Sequence, residues 1–471
     1  MNVAEPIRRA ARLTPALAAI VRADGSTISH AALDRAIDLM AGRALGLGLQ
    51  AGDIAGLAIT GPDESPGLIL ALALARIGVA SAEPSLQAGR MRLCFGTGPG
   101  QIPFDASWMS GPVVEPVPGH PDPAAICRIF TSSGTIGTEK HIPVTHAAMT
   151  HRVYGGLWLG DRGGPLIRII GVGLGGSWGF RTVLRTLWAG GTIVLSNPKD
   201  AASAIARHGV TSLICAPGSM REVLETLPSG TTPFPSLEVV ETGGSLLPDP
   251  LYRLAVERLC PNIHCYLGAA ETGITASAPM AMLLSRPGAV GYVYPDVRVE
   301  AVDADGMSVP PGTEGLLRFR GAGVSTFYLG DEAATRTGFR DGWFWSGDIG
   351  AIWPDGAITL GGRANDVINS GGVKVSAETI ERALLQLPTV LDAAAFGVPD
   401  ASGIERVWAA IVARTQIDDT VLAAFCARML PGKTPDIIVQ LKALPRGANG
   451  KVRRDMLRDM ARELGRRQPE N

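Results

Sequence analysis

At 471 residues the chain exceeds what one ordinary core accommodates, so a large domain with a smaller companion is the starting expectation. Its 43 basic and 44 acidic residues nearly cancel, which leaves no charge surplus for a duplex nucleic-acid surface or an acidic polymer and points to a small-molecule partner. A hydrophobic share of 46% with 59 glycines and 34 prolines argues against a disordered chain and suits a sheet-rich α/β protein.

The opening segment, MNVAEPIRRAARLTP, lacks the apolar core of a signal peptide, and no uncharged apolar run reaches membrane-spanning length, which predicts a cytoplasmic protein without a membrane span. From about residue 30 to 85 the pattern reads helix, strand, helix: SHAALDRAIDLMAGRAL, DIAGLAIT and ESPGLILALALARIG. Residues 83–123 are rich in Gly, Pro and Ser and carry little periodicity. Strand-like runs follow at LIRIIGVGL, GTIVLSN, TSLICAP and LEVVETGG, apolar enough for parallel sheets buried on both faces. Between and after them GFRTVLRTLWAGG, KDAASAIARHG, SMREVLETL and DPLYRLAVERLC read as helices, and Ser219 and Asp249 open the last two as candidate caps. After GWFWSGDIGAIWPDGAITLGGR the texture changes to AETIERALLQLPTVLDAAAFGVPD and ERVWAAIVAR, a helix followed by strands. The expected fold is α/β: a large N-terminal domain of layered, mostly parallel sheets with helices over residues 1–364, and a small mobile α+β domain over residues 365–471.

Cys94, Cys127, Cys215, Cys260, Cys265 and Cys426 are scattered without a CxxC pair, which fits buried thiols in a reducing compartment, and the histidines show no metal-ligand spacing.

Residues 130–140 read FTSSGTIGTEK directly after the apolar run AICRIF. Small residues let backbone N–H groups approach a phosphate, hydroxyls donate further bonds, and a lysine neutralises charge. The P-loop pattern is absent, since Lys140 is not preceded by Gly and is followed by His141. In order of residues the segment resembles the signature loop of the adenylate-forming superfamily, which comprises acyl-CoA synthetases, luciferases and the adenylation domains of peptide synthetases. Ser132, Ser133, Gly134, Thr135, Gly137 and Lys140 match. Ile136 stands where a second Thr is usual and Glu139 where Pro is usual, which removes a hydroxyl contact to pyrophosphate.

Further segments recur in the superfamily's order. ETGGSLLP, with Gly243, Gly244 and Ser245, resembles the strand-end turn on which adenine rests. CYLGAAETG resembles the segment in which Tyr266 and Gly268 face the nucleotide and Glu271 holds Mg²⁺ against the ATP phosphates, with Ala270 in place of the usual Thr. In GWFWSGDIG, Asp348 matches the aspartate that accepts both ribose hydroxyls, and in LGGRANDVINSGG, Arg363 matches the arginine beside it. Asn365 falls at the family's hinge. ALPRGANGKVRRDML carries Lys451 where the family's first-step lysine stands, a cation suited to the charge that develops as a carboxylate attacks the α-phosphate.

The resemblance implies an ATP-dependent ligase: a carboxylic acid and ATP·Mg²⁺ give acyl-AMP and pyrophosphate, and a thiol then takes the acyl group. Rotation about Asn365 would withdraw Lys451 and bring Gly371, Gly372 and Lys374 to the site, where the glycines leave room for a pantetheine arm. SGGVKVSAETIE looks more like acyl-CoA ligases than amino-acid adenylation domains, which favours coenzyme A as acceptor. A carrier-protein phosphopantetheine is the alternative, and a non-catalytic acyl-adenylate-binding relative is the second; a homodimer is open. GLGGSWGF lacks the acidic residue that pairs with an α-amino group, and Trp178, Ala216, Gly244, Leu267, Ala269 and Ile274 would line an apolar slot. The expected substrate is an aryl or medium apolar acid without an α-amino group.

Overall fold

Helix Ser65–Arg76 is apolar around its whole circumference, and each residue from Leu68 to Ala75 is fully buried, as such a helix must be. Its last residue, Arg76, is also sealed from solvent, and Asp34 and Asp38 of helix His30–Gly46 meet its guanidinium at 2.5 and 2.7 Å. Arg8 pairs with the same two carboxylates, which completes a buried ionic cluster. The structure is a computed structural model that describes all residues except 62, 87, 113–114, 134–138, 156–164, 365–366, 371–372, 401–404, 447–451 and 468–471.

Two sheets flank this core. A five-stranded sheet carries parallel strands Leu93–Phe95, Ile54–Leu57, Ala80–Ala82 and Ile126–Ser133, closed by the antiparallel strand Glu139–Thr145. The larger sheet has fourteen strands among the described residues. Its parallel half runs Ala18–Val21, Thr192–Val194, Ile167–Gly171, Ser212–Cys215, Val239–Gly243 and Ile263–Ala269 in spatial order. The expected strands and helices of this half are present. Two expected caps are not: helix Pro217–Thr226 is preceded by Ala216 and opens on proline, and helix Asp249–Arg258 is preceded by Pro248, so neither Ser219 nor Asp249 caps by its side chain. Proline at the first helical turn replaces them, because its fixed φ starts the helix and its missing N–H is not needed there.

From Gly273–Pro279 onward the same sheet continues antiparallel, through Ala289–Val293, Ala357–Arg363, Trp343–Ile352 and Gly315–Gly321 to Val297–Val302. The C-terminal smaller domain contains a two-stranded sheet, Val367–Ser370 with Val373–Ser376, and a three-stranded sheet, Val390–Pro399, Glu405–Ala413 and Ile437–Gln440. Val390–Pro399 and Glu405–Ala413 are buried on both faces, with helix Ala377–Leu384 in one apolar cluster and helix Arg454–Arg467 in the other. Ser376 Oγ donates to the Gly361 carbonyl at 2.7 Å and Arg382 Nη2 to that of Leu360 at 3.1 Å, which seats this domain on strand Ala357–Arg363. Arg221 of the large domain reaches across to the Leu391 carbonyl and to Asp392.

Candidate active site

The strands Ile126–Ser133 and Glu139–Thr145 form a hairpin in which Ser132 pairs with Lys140 and Ser133 with Glu139. Residues Gly134, Thr135, Ile136 and Gly137 lie outside the described residues. Lys140, near the start of the returning strand, extends over the ring of Tyr328, its Nζ 4.7 Å from the ring centroid. The Tyr328 hydroxyl donates to Glu271 Oε1 at 2.9 Å. Two charged residues from separate motifs are thus gathered on one aromatic side chain.

Glu271 follows strand Ile263–Ala269, and its segment is fastened from beneath by Arg152. That guanidinium is buried and donates to the carbonyls of Ala270 at 3.0 Å, Glu271 at 2.8 Å and Gly323 at 2.7 Å, and to the hydroxyls of Ser177 and Ser325 at 3.3 and 3.2 Å. Burial lowers Arg152 to about 10, partly offset by Cys127 and Glu271, so it remains a cation at neutral pH. Three chain segments are fixed by one five-donor group. A second buried arginine, Arg128, donates to the Gly175 carbonyl at 3.1 and 2.9 Å and to Ser81 Oγ at 2.9 Å, which holds the Gly-rich turn ahead of helix Ser177–Trp188.

The carboxyl ends of the parallel strands lie side by side, with Gly171 beside Cys215, Cys215 beside Thr242 and Gly243 beside Tyr266. This is the edge at which open α/β sheets bind ligands. Gly244, with φ +82°, turns the chain there, and Gly244 and Ser245 are exposed. Trp178 stands over Gly243: a Cβ on that glycine would meet Trp178 Cη2 at 3.6 Å. Gly268 faces Ile274 closely enough that a Cβ would lie 2.9 Å from its Cα, so glycine is required for strand pairing there. Trp178, Ala216, Leu267, Ala269 and Ile274 are half-buried rather than sealed in the core.

Tyr266 turns inward. It is buried, and its hydroxyl interacts with Glu241 and Arg185. Helix Ser177–Trp188 lays Arg181, Thr182, Arg185 and Thr186 along one buried face against the sheet. Burial pushes the Glu241 carboxyl up, but Arg185 and Arg168 beside it, with hydrogen bonds from Tyr266 and Arg185, bring it down to about 2.

At the far side of the crevice Asp348 and Arg363 are cross-strand partners, with Arg363 Nε donating to Asp348 Oδ1 at 3.0 Å. Asp348 is partly shielded, and its Oδ2 has no hydrogen bond among the described residues. Asn365, Gly371, Gly372 and Lys451 lie outside the described residues, and of Lys374 only the strand position opposite Asn369 is described. The segment around Lys451 is framed by the bridge between Arg446 and Val452 and by Arg454, which donates to Glu381 at 2.5 Å.

The model of the AMP-binding enzyme family matches residues 99–329, and that of the AMP-binding enzyme C-terminal domain matches residues 379–451. The chain belongs to this family of adenylate-forming enzymes. Among its curated relatives in the family, a sulfoacetate–CoA ligase of Cupriavidus necator is 32% identical over 358 residues, 71% of this chain and 67% of the relative. A salicylyl-CoA synthase / salicylate adenylyltransferase of a Streptomyces species is 28% identical over 405 residues, 81% of this chain and 72% of the relative. The solved o-succinylbenzoate CoA synthetase of Bacillus subtilis in complex with its acyl-adenylate intermediate superposes with a TM-score of 0.84 over 96% of this chain and 98% of that one. At 21% identity that likeness establishes the shared fold.

Tyr328, Arg152 and Arg128 were not among the residues singled out by sequence. Arg128 carried a signal, a charge inside the apolar run AICRIF that only a buried partner explains; Tyr328 and Arg152 carried none. Among the described residues no helix is long and apolar enough to cross a membrane, and no three His, Cys, Asp or Glu side chains are grouped to hold a metal ion.

Proposed function

We propose that this protein is an AMP-forming carboxylic acid:CoA ligase that activates an aryl or medium apolar acid through an acyl-AMP intermediate. The observation that carries the reading is the meeting of Lys140 and Glu271 on Tyr328 in a chain of the AMP-binding family. In this reading Lys140 and the loop Ser132–Ser133–Gly134–Thr135–Gly137 hold the ATP phosphates, and Glu271 takes the Mg²⁺ that arrives with them. One carboxylate suffices, because Mg²⁺ keeps waters and phosphate oxygens for its other positions. The turn Gly243–Gly244–Ser245 and the strand end at Gly268 receive adenine, with the inward-turned Tyr266 supporting that strand from beneath, and Asp348 with Arg363 receives ribose.

Attack of the acid's carboxylate oxygen on the α-phosphorus forms the mixed anhydride and releases pyrophosphate, with Lys451 stabilising the charge that builds on the phosphate oxygens. The domain over residues 365–471 then turns about Asn365 and brings Gly371, Gly372 and Lys374 to the anhydride. The thiolate of CoA attacks the acyl carbon and AMP leaves. The half-buried wall of Trp178, Ala216, Leu267, Ala269 and Ile274 supports an apolar acid, and the relatives named for salicylate and succinylbenzoate act on aryl acids. The free cysteines, four of them buried, suit a cytoplasmic setting.

Acid-dependent exchange of pyrophosphate into ATP, measured over aryl, fatty and α-amino acids, tests the substrate class. Exchange is expected with aryl or medium apolar acids and not with α-amino acids; exchange confined to amino acids would overturn the assignment of the acid pocket. Asp348→Ala should weaken ATP binding by on the order of 2–4 kcal/mol, the worth of two charge-assisted hydrogen bonds. Titration calorimetry reads this directly, and unchanged affinity would remove the ribose from Asp348.

A further inference from the structure

Tyr328 is 4% exposed and is pinned from several directions. The Leu329 N–H donates to the His141 carbonyl at 2.8 Å, next to Lys140, while the Ser325 N–H donates to the Glu271 carbonyl at 2.8 Å. The loop that carries the tyrosine is therefore stitched both to the phosphate hairpin and to the Glu271 segment. Phe339 packs edge-on against the Tyr328 ring at 5.0 Å between centroids, and the Tyr328 N–H donates to Thr335 Oγ1 at 3.0 Å. The ring has a fixed place, and from it the hydroxyl meets Glu271 Oε1 at 2.9 Å while the face carries the Lys140 ammonium at 4.7 Å. Glu271 Oε2 has no hydrogen bond among the described residues.

We propose that Tyr328 is a positioning residue for Mg·ATP, whose hydroxyl turns the Glu271 carboxylate so that Oε2 faces the metal and whose ring directs Lys140 to the same side. The proposal rests on the assignment of Glu271 to Mg²⁺ and Lys140 to phosphate given above. A carboxylate that accepts one fixed hydrogen bond loses its freedom to rotate, and outer partners of this kind typically set metal affinity by about 10- to 100-fold. A lysine is a flexible point charge on a long stem, so a perch on an aromatic face restricts where it reaches.

The two contacts separate by substitution. Tyr328→Phe keeps the ring and removes the hydroxyl; Tyr328→Leu removes both. ATP binding is measured by titration calorimetry on the full chain, once with excess Mg²⁺ and once with EDTA. For Tyr328→Phe the expected result is an affinity loss of about 10-fold or more with Mg²⁺ and none with EDTA. Tyr328→Leu should lose affinity in both conditions, and adding Tyr328→Phe to Glu271→Ala should change nothing further. Equal losses for Tyr328→Phe with and without Mg²⁺ would mark a merely structural role and overturn the proposal. So would wild-type binding by Tyr328→Phe while Glu271→Ala loses Mg²⁺ dependence, and in that case the nucleotide site assigned above stands. Wild-type Mg·ATP binding by both Glu271→Ala and Lys140→Ala would instead overturn that site, and the role of Tyr328 with it.

Discussion

Lys451→Ala should reduce acyl-AMP formation by on the order of 10²–10³-fold, the usual consequence of removing one preorganised group that stabilises transition-state charge. Thioester formation from supplied acyl-AMP should remain near the wild-type rate. The asymmetry follows from the proposed two-step scheme, in which the lysine would contribute only while negative charge builds at the α-phosphate and would be withdrawn before the thiol attacks. The described residues on either side of this segment are anchored. Arg454 ties the start of the last helix to Glu381 at 2.5 Å and to the Ala395 carbonyl at 3.1 Å, and Arg446 pairs with Asp392 at 2.6 Å. Single-turnover measurements of each half-reaction check the prediction, and equal loss in both would contradict the role given to Lys451.

Glu241→Ala should destabilise the protein by about 3–5 kcal/mol, because it strands Arg168 and Arg185 as uncompensated charges inside the molecule. All three side chains are at most 3% exposed, with Arg168 Nη2 3.3 Å from Glu241 Oε1 and Arg185 Nη2 bonded to the same oxygen. The pH dependence has a definite sign. The folded carboxyl sits at about 2 against an ordinary 4.5, so its contribution is complete above about pH 4.5 and is lost as pH falls from there toward 2. Urea unfolding at pH 7 reads the first effect as a lowered midpoint. A comparison of wild type with Glu241→Gln between pH 5 and 3 reads the second: the wild type should lose stability more steeply than the variant. A Glu241→Ala protein within about 1 kcal/mol of wild type would show that the network under helix Ser177–Trp188 does not hold this part of the fold.

That network also marks where sequence reading stops. Arg181, Thr182, Arg185 and Thr186 recur at helical spacing in GFRTVLRTLW, a pattern that by itself reads as a solvent-facing stripe. It is buried because Glu241 stands opposite on a strand distant in sequence, inside LEVVETGG, and nothing local announces that pairing. Four strands of the parallel half, Ile167–Gly171, Thr192–Val194, Ser212–Cys215 and Val239–Gly243, were legible because each is a short apolar run between turn residues, while the antiparallel half beyond Gly273 is built from half-polar strands whose partners are set by the sheet. The helix read in SHAALDRAIDLMAGRAL is present as His30–Gly46, with Ser29 accepting from the Ala32 N–H at 3.2 Å. Ser219 and Asp249 failed as caps because a proline-led first turn had already begun at each helix.

The same contrast holds at the site. Motif order located Lys140, Glu271, Asp348 and Arg363, and the fold brings the first pair onto one ring and the second into one cross-strand pair. The groups that contact the first pair or its chain segment, Tyr328 and Arg152, lie outside any motif, since each reaches several segments at once. A guanidinium that satisfies five acceptors from three chain segments is defined by the tertiary structure alone.

The most direct test of the central claim is to quantify AMP, pyrophosphate and acyl thioester together, with ATP, Mg²⁺ and an aryl acid panel, in the presence and absence of CoA. The account predicts acid-dependent pyrophosphate with the AMP retained as acyl-AMP when CoA is absent, and AMP, pyrophosphate and acyl-CoA in equal amounts when it is present. ATP left intact with every acid, or cleaved to ADP and phosphate, would contradict it.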